Sequence, residues 1–320
     1  MVIAMRRTLP LLLGLVTLLP LSTVAQDLNI ILPIEQIERS LGAMSFEVRD
    51  RTDTRFEGDR TQRVVLVFED SSAMMVKWGR APRNGAAFNN QPRYETAAYL
   101  IQKMFLEEPD YVVPPTVIRS VPLDWYRGYD EAVTPTFDGT ESVVVALQYW
   151  LNSVSPRDVF DPARLDSDTA YARHFGNLNL LTHLIRHGDS NDGNVLISTD
   201  PTNPRLFAVD NGVAFAPPDS DRGTAWRDMR TRRVPRSSIE RLRGITRADL
   251  DAALGVIAQF EIRDGLLVPV PPTANLSPSR GVRRRDDTIQ FGLTAGEIRG
   301  IHGRMQRVIR QADRGRLAMF

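Results

Sequence analysis

The chain has 320 residues, 42% hydrophobic and 25% charged, with a formal net charge of +1. That balance fits a globular protein with a sizeable core. It lacks the basic excess of a dedicated nucleic-acid binder, so no nucleic-acid partner is expected. There is no cysteine, which excludes disulfides and thiolate chemistry.

Residues 1–25 have the pattern of a secretory signal peptide. Arg6 and Arg7 form a positive start, Leu9 to Leu21 is an apolar run broken by Pro10 and Pro20, and Thr23-Val24-Ala25 precedes the cleavage point. Cleavage would leave Gln26 as the mature N-terminus and place the protein in a bacterial periplasm or outside the cell. A membrane anchor is the alternative, but the run is short against the roughly 20 residues of a bilayer span. No later segment is apolar enough to cross, so no membrane span is expected after signal removal.

The mature chain opens with a short helix over Pro33–Leu41 and a weakly alternating strand over Met44–Arg49. A polar loop, Asp50–Gln62, leads to the β-branched strand Val64–Phe68. The chain turns at Asp70-Ser71-Ser72 and returns over Ala73–Trp78. Arg93–Leu106 carries apolar residues at helical spacing, Val112–Val121 is extended, and Ser142–Leu147 is a buried strand. The second half is expected to be mainly helical. Helices are predicted over Thr169–Ile185, Thr246–Phe260 and Thr294–Ala312, the last with a Thr294/Glu297 capping box. Short strands fall at Val195–Ser198 and Leu206–Val209, and Pro269–Arg285 is predicted to be a surface loop.

The chemistry concentrates in one stretch. His187-Gly188-Asp189 is followed by Asn194, and the next strand pair ends on Asp210-Asn211-Gly212. A carboxylate near an attacking hydroxyl, with a carboxamide and a second carboxylate for a hard cation, suits phosphoryl transfer from a nucleotide. Such transfer needs positioning and electrostatics rather than a protein nucleophile. Only Lys77 and Lys103 among the 40 basic residues are lysine, which singles out Lys77 at the end of a hairpin strand. Glu95 follows in the first turn of the next helix.

In order and spacing these motifs resemble the protein-kinase-like superfamily. The loop is similar to that of aminoglycoside and choline phosphotransferases, and to phosphoinositide kinases. The Asp-Asn-Gly turn resembles that of secretory-pathway kinases, and HipA-type kinases are more distant. The resemblance implies an α+β, bilobal fold, with a small antiparallel-sheet N-lobe (26–147) and a mainly helical C-lobe (148–320). It also implies roles. Asp189 would accept or orient the hydroxyl proton, and Asn194 and Asp210 would ligate Mg²⁺ or Mn²⁺. Lys77, positioned by Glu95, would contact the phosphates of ATP, and Gln148–Leu151 would hold the adenine. The expected partners are the nucleotide and an unknown hydroxyl-bearing acceptor on a protein or small molecule.

Each of these residues also admits a plainer role. Asp189–Asn194 could be an ordinary polar turn or an EF-hand-like loop, although Gly193 stands one position early for the latter. Lys77 could be a surface lysine, and Glu95 could serve only the helix dipole. The arginines between Arg227 and Arg243 could bind an acidic acceptor or simply form a solvated face. No G-x-G-x-x-G precedes Lys77. A pseudokinase that binds without turnover is the competing function, and nucleotidyl transfer on the same scaffold is a further possibility.

Overall fold

The computed structural model describes residues 27–52, 61–87, 91–189, 192–215 and 228–320. The signal-peptide segment, the tip of the 50–62 loop and the first of the clustered arginines, Arg227, lie outside the described residues.

The first half builds one antiparallel sheet from β1 (Phe46–Arg51), β2 (Thr61–Phe68), β3 (Ala73–Arg80), β4 (Thr116–Pro122) and β5 (Ser142–Tyr149). Its order is β1-β2-β3-β5-β4. Alternation sets the two faces: Met74, Val76 and Trp78 are buried in the core, which puts Lys77 and Gly79 on the other side. Helix α1 (Ile34–Gly42) precedes the sheet. Helix α2 (Pro92–Phe105) lies between β3 and β4 in sequence and starts on Pro92, whose fixed φ and missing N–H suit a first turn. A short helix, α3 (Leu123–Arg127), leads toward β5.

The second half is organised around α5 (Thr169–Ile185), preceded by the single turn α4 (Arg164–Ser167). Helix α5 is buried nearly all round, with Phe175, Leu178, Leu181 and Ile185 inside the main core. Its Asp168 cap accepts from the Tyr171 N–H. Beside it lies a small sheet of β6 (Val154–Ser155), β7 (Val195–Ser198) and β8 (Leu206–Ala208). Strand β9 (Arg233–Val234) and helices α6 (Arg236–Gly244) and α7 (Arg247–Leu254) follow.

The region after α7 departs from expectation. The helix predicted through Phe260 stops at Leu254. A four-stranded sheet follows, made of β10 (Ala258–Arg263), β11 (Leu266–Val270), β12 (Val282–Arg285) and β13 (Thr288–Phe291), so part of the predicted 269–285 loop is strand. Gly255, the poorest helix former after proline, stands at the stop, its N–H returning to the Asp251 carbonyl; a Cβ there would meet that carbonyl at 2.5 Å. Phe260, Leu267, Ile289 and Phe291 form a second core with Ala81, Phe137 and Val144 of the first half. The final helix α8 (Ala295–Asp313) carries the expected capping box, and β14 (Ala318–Met319) pairs with β9. The architecture is α+β, with an antiparallel N-terminal sheet and helices after it. No helix among the described residues is long and apolar enough to cross a membrane.

Candidate active site

Three of the five sequence-derived residues meet at one point. The Lys77 Nζ lies 3.0 Å from Glu95 Oε1 and 3.1 Å from Asp210 Oδ1. Strand β3 delivers the lysine, the first turn of α2 delivers the glutamate, and the turn after β8 delivers the aspartate. Asp210 has φ 57° and ψ 54°, a left-handed conformation that a short polar side chain tolerates. Next to this kink, the Asn211 N–H donates to Glu95 Oε2 at 3.0 Å. Both oxygens of Glu95 are thereby used, one by Lys77 and one by the Asn211 backbone.

Burial differs among the three. The Lys77 and Glu95 side chains are 17% and 8% exposed, whereas that of Asp210 is 47% exposed. Burial works to lower the Lys77 pKa, but Asp210 and Glu95 outweigh it, so the amine stays cationic above its ordinary range. The Glu95 carboxyl is pushed up, first by burial, with Lys77 opposing and Asp210 adding to the rise. One ammonium therefore holds two carboxylates together, and the more exposed of the two keeps a face toward solvent.

The remaining two residues sit on the loop between α5 and β7. Helix α5 ends with Arg186 in the left-handed region, and the His187 N–H returns to the Thr182 carbonyl at 2.9 Å, a Schellman-type stop. His187 is fully buried, with Nε2 3.4 Å from the Val209 carbonyl, so the loop is fastened to the strand that leads into Asp210. Burial pushes the pKa of His187 down. Gly188 packs against the turn after Asp210: a Cβ on it would lie 2.2 Å from the Val213 carbonyl oxygen. Asp189 follows directly and is half-buried. The negative charges of Asp210 and Asp189 oppose the fall in the His187 pKa.

Asn194 immediately precedes β7, and its carbonyl accepts the Val209 N–H at 2.8 Å, one residue before Asp210. Its side-chain Nδ2 is buried without a hydrogen-bond partner among the described residues. The unpaired atom is the amide nitrogen, which can only donate; the Oδ1 of the same carboxamide is the atom chemically suited to a hard cation, as is the half-exposed Asp210 carboxylate. Among the described residues no group of three or more His, Cys, Asp or Glu could hold a metal ion.

A cleft adjoins Lys77 and Glu95. Thr61, Gly79, Pro92, Thr116, Ala146 and Gln148 line it. The sheet register explains the set, because Lys77 pairs with Gln148, Gly79 with Ala146, and Thr116 with Gln148. Gln148 is buried and donates to Thr116 Oγ1 at 2.9 Å. Of the segment expected to hold adenine, the Tyr149 and Trp150 N–H groups bond to Pro115 and Met75 carbonyls. Gln148 is the residue of that segment that reaches the cleft wall. Thr116, Gly79 and Ala146 carry no chemical signature in the sequence and are selected only by strand register.

Three of the arginines that follow the Asp210-Asn211-Gly212 turn form ion pairs within the fold. Arg233 pairs with Asp166, Arg241 with Glu107, and Arg243 with Asp313.

No protein-family sequence pattern matches the chain, and no curated protein matches it. Among solved structures, that of hydra Fam20 with sugar is similar to the chain with a TM-score of 0.53 at 13% identity. The match spans 90% of this chain and 92% of that one. A MAP kinase of Leishmania major, LmaMPK10, matches with a TM-score of 0.30 at 11% identity, over 56% of this chain and 50% of that one. At this identity the Fam20 likeness concerns the fold alone, and the fold of this chain is protein-kinase-like.

Proposed function

We propose that the chain is an exported, metal-dependent phosphotransferase that moves the γ-phosphoryl group of ATP to a hydroxyl on a protein or small molecule. One observation carries this reading: Lys77 is held between Glu95 and Asp210, 133 residues apart from the latter in sequence, at the edge of a cleft. A surface lysine would not be buried against two carboxylates, because the desolvation has to be offset by paired charge.

In the proposed mechanism, Lys77 contacts nucleotide phosphates and Glu95 fixes its position. Asp210 and Asn194 would hold Mg²⁺ or Mn²⁺, which would neutralise charge on the phosphate oxygens. Asp189 orients the acceptor hydroxyl and takes its proton as the new O–P bond forms. The bond from the γ-phosphorus to the bridging oxygen breaks, and ADP leaves with that electron pair. The base of the nucleotide would lie along the Gln148 side of the cleft, with the lobes meeting at the junction of 147 and 148. Export follows from the signal-like residues 1–25 and implies a periplasmic or secreted protein. The Fam20 neighbour was determined with a sugar, so sugar hydroxyls are the first acceptors to test alongside protein serines.

The test uses residues 26–320 with ATP and Mg²⁺ or Mn²⁺, following thermal shift and transfer of a γ-phosphate label. Metal-dependent stabilisation with label transfer is the expected result. Absence of any metal-dependent nucleotide binding would overturn the proposal, and binding without transfer to any acceptor would replace it with a pseudokinase.

A further inference from the structure

Two residues before Glu95, in the same helical turn, Arg93 is buried. Its guanidinium meets Glu297 in a two-point contact: NH1 lies 2.8 Å from Oε2 and NH2 3.1 Å from Oε1. NH1 also reaches the Gly292 carbonyl, Nε donates to Gln91, and NH2 approaches the Tyr94 hydroxyl, which itself donates to Glu297. Glu297 is the third residue of α8, and its Oε2 accepts the Thr294 N–H of the capping box at 2.7 Å. One carboxylate thus caps the last helix and grips the first turn of α2.

The surroundings are shaped to receive this guanidinium. A Cβ on Gly281 would fall 2.4 Å from the Arg93 guanidinium carbon, so only glycine leaves the room. The wall behind is held by Arg283, itself buried, which donates to the carbonyls of Ser277, Gly255 and Leu293. These groups all belong to the second sheet and its flanks, the part of the chain whose sequence pattern suggests helix and loop.

We infer that Arg93 is a positioning residue: its insertion between Gly281 and Glu297 holds the first turn of α2 where Glu95 meets Lys77. The start of α2 is then fixed at three points. Lys77 and the Asn211 N–H grip Glu95 from the cleft, and Glu297 grips Arg93 from the C-terminal module. A buried, two-point guanidinium–carboxylate pair fixes direction as well as distance, so the helix start has little freedom to swing. The clamp forms within the unmodified chain and couples 258–297 to the cleft without any of those residues reaching it.

This inference rests on the phosphotransferase reading only for its kinetic arm. The variants are Arg93→Met, Glu297→Gln and Gly281→Ala, each in residues 26–320. Gly281→Ala keeps every charged group and covers the case in which loss of Arg93 unfolds the chain. Amide hydrogen exchange is followed by mass spectrometry. The expected result is exchange about tenfold faster in the first turn of α2 and at Asn211, with α5 still protected. If the wild type transfers phosphate, kcat is expected to fall about tenfold with the KM for ATP changed much less, because misplaced groups cost turnover more than binding. Exchange that is unchanged, or that rises uniformly with a lowered Tm, would overturn the clamp and leave a merely structural ion pair. Should the wild type show no transfer, local exchange alone decides, and the clamp stands or falls apart from the enzyme reading.

Discussion

The Lys77 ammonium lies 3.1 Å from the Asp210 carboxylate although 133 residues separate them. This contact brings the strand-rich half to the Asp210-Asn211-Gly212 turn, beside the cleft that Lys77 and Glu95 line. Glu95 completes it from α2, bonded to Lys77 by one oxygen and to the Asn211 backbone by the other.

Asp210 and Asp189 should separate cleanly in function. Asp210→Ala is expected to abolish the metal-dependent part of nucleotide binding, and chelation of the metal should have the same effect on the wild type. Asp189→Ala should retain metal-dependent binding and lose at least about a hundredfold in turnover, the scale of a missing general base. Calorimetric titration of ATP with and without Mg²⁺, set beside label transfer, distinguishes the two. If both variants match the wild type, the assigned roles are wrong.

Lys77→Met should cost stability as well as activity. Glu95 is nearly fully buried and would lose its only ammonium partner, with Asp210 still close by. Removing one partner from such a pair costs about 3 kcal/mol. Adding Glu95→Gln should recover most of that loss while activity stays absent. Urea melts of the single and double variants measure it, and a double variant no more stable than Lys77→Met would contradict the pairing.

Gly188→Ala tests the seating of the loop that carries Asp189. The new methyl would face the Val213 carbonyl at 2.2 Å, so backbone must move beside Asp189. A destabilisation of about 3 kcal/mol is expected, together with a fall in turnover. Gly303→Ala in α8 is the control. Nothing lies within 4 Å of its added methyl, and it should stabilise by about 0.5–1 kcal/mol because alanine is the better helix former. Equal behaviour of the two variants would rule out the steric cause.

Acid should weaken the fold through His174. Burial pushes its pKa from 6.5 down to about 4, with Arg205 and Arg173 adding to the fall and Asp110 opposing it. Below pH 6.5 the unfolded chain takes up a proton that the folded chain refuses until about pH 4. Stability therefore rises with pH across that window, by up to about 3 kcal/mol. His174→Gln should flatten this part of the curve. Urea melts between pH 4 and 7 read it directly, and an unchanged slope in the variant would assign the effect to another group.

Much of the site is visible in the linear sequence because its parts are local. The 169–185 helix shows its periodicity over several turns, and His187, Gly188, Asp189, Asn194 and Asp210 stand in one short region at informative spacing. Lys77 stands out through the near absence of lysine. The second sheet is hidden for a physical reason: β12 is Val282-Arg283-Arg284-Arg285, and its buried member is an arginine satisfied by three carbonyls. Hydrophobic alternation cannot reveal a strand whose inward side chain is charged.

By itself, the sequence determined which side chains were available for phosphoryl transfer and which helices and strands would carry most of them. These follow from neighbours a few residues apart, through periodicity, caps and turns. Tertiary structure alone decided that Glu95 and Asp210 share Lys77, and that Gly79, Ala146 and Thr116 line its cleft. It alone seated Arg93 on Glu297, 204 residues away. Such pairings depend on which faces pack together, and a buried charge finds its partner only when distant segments exclude water around both.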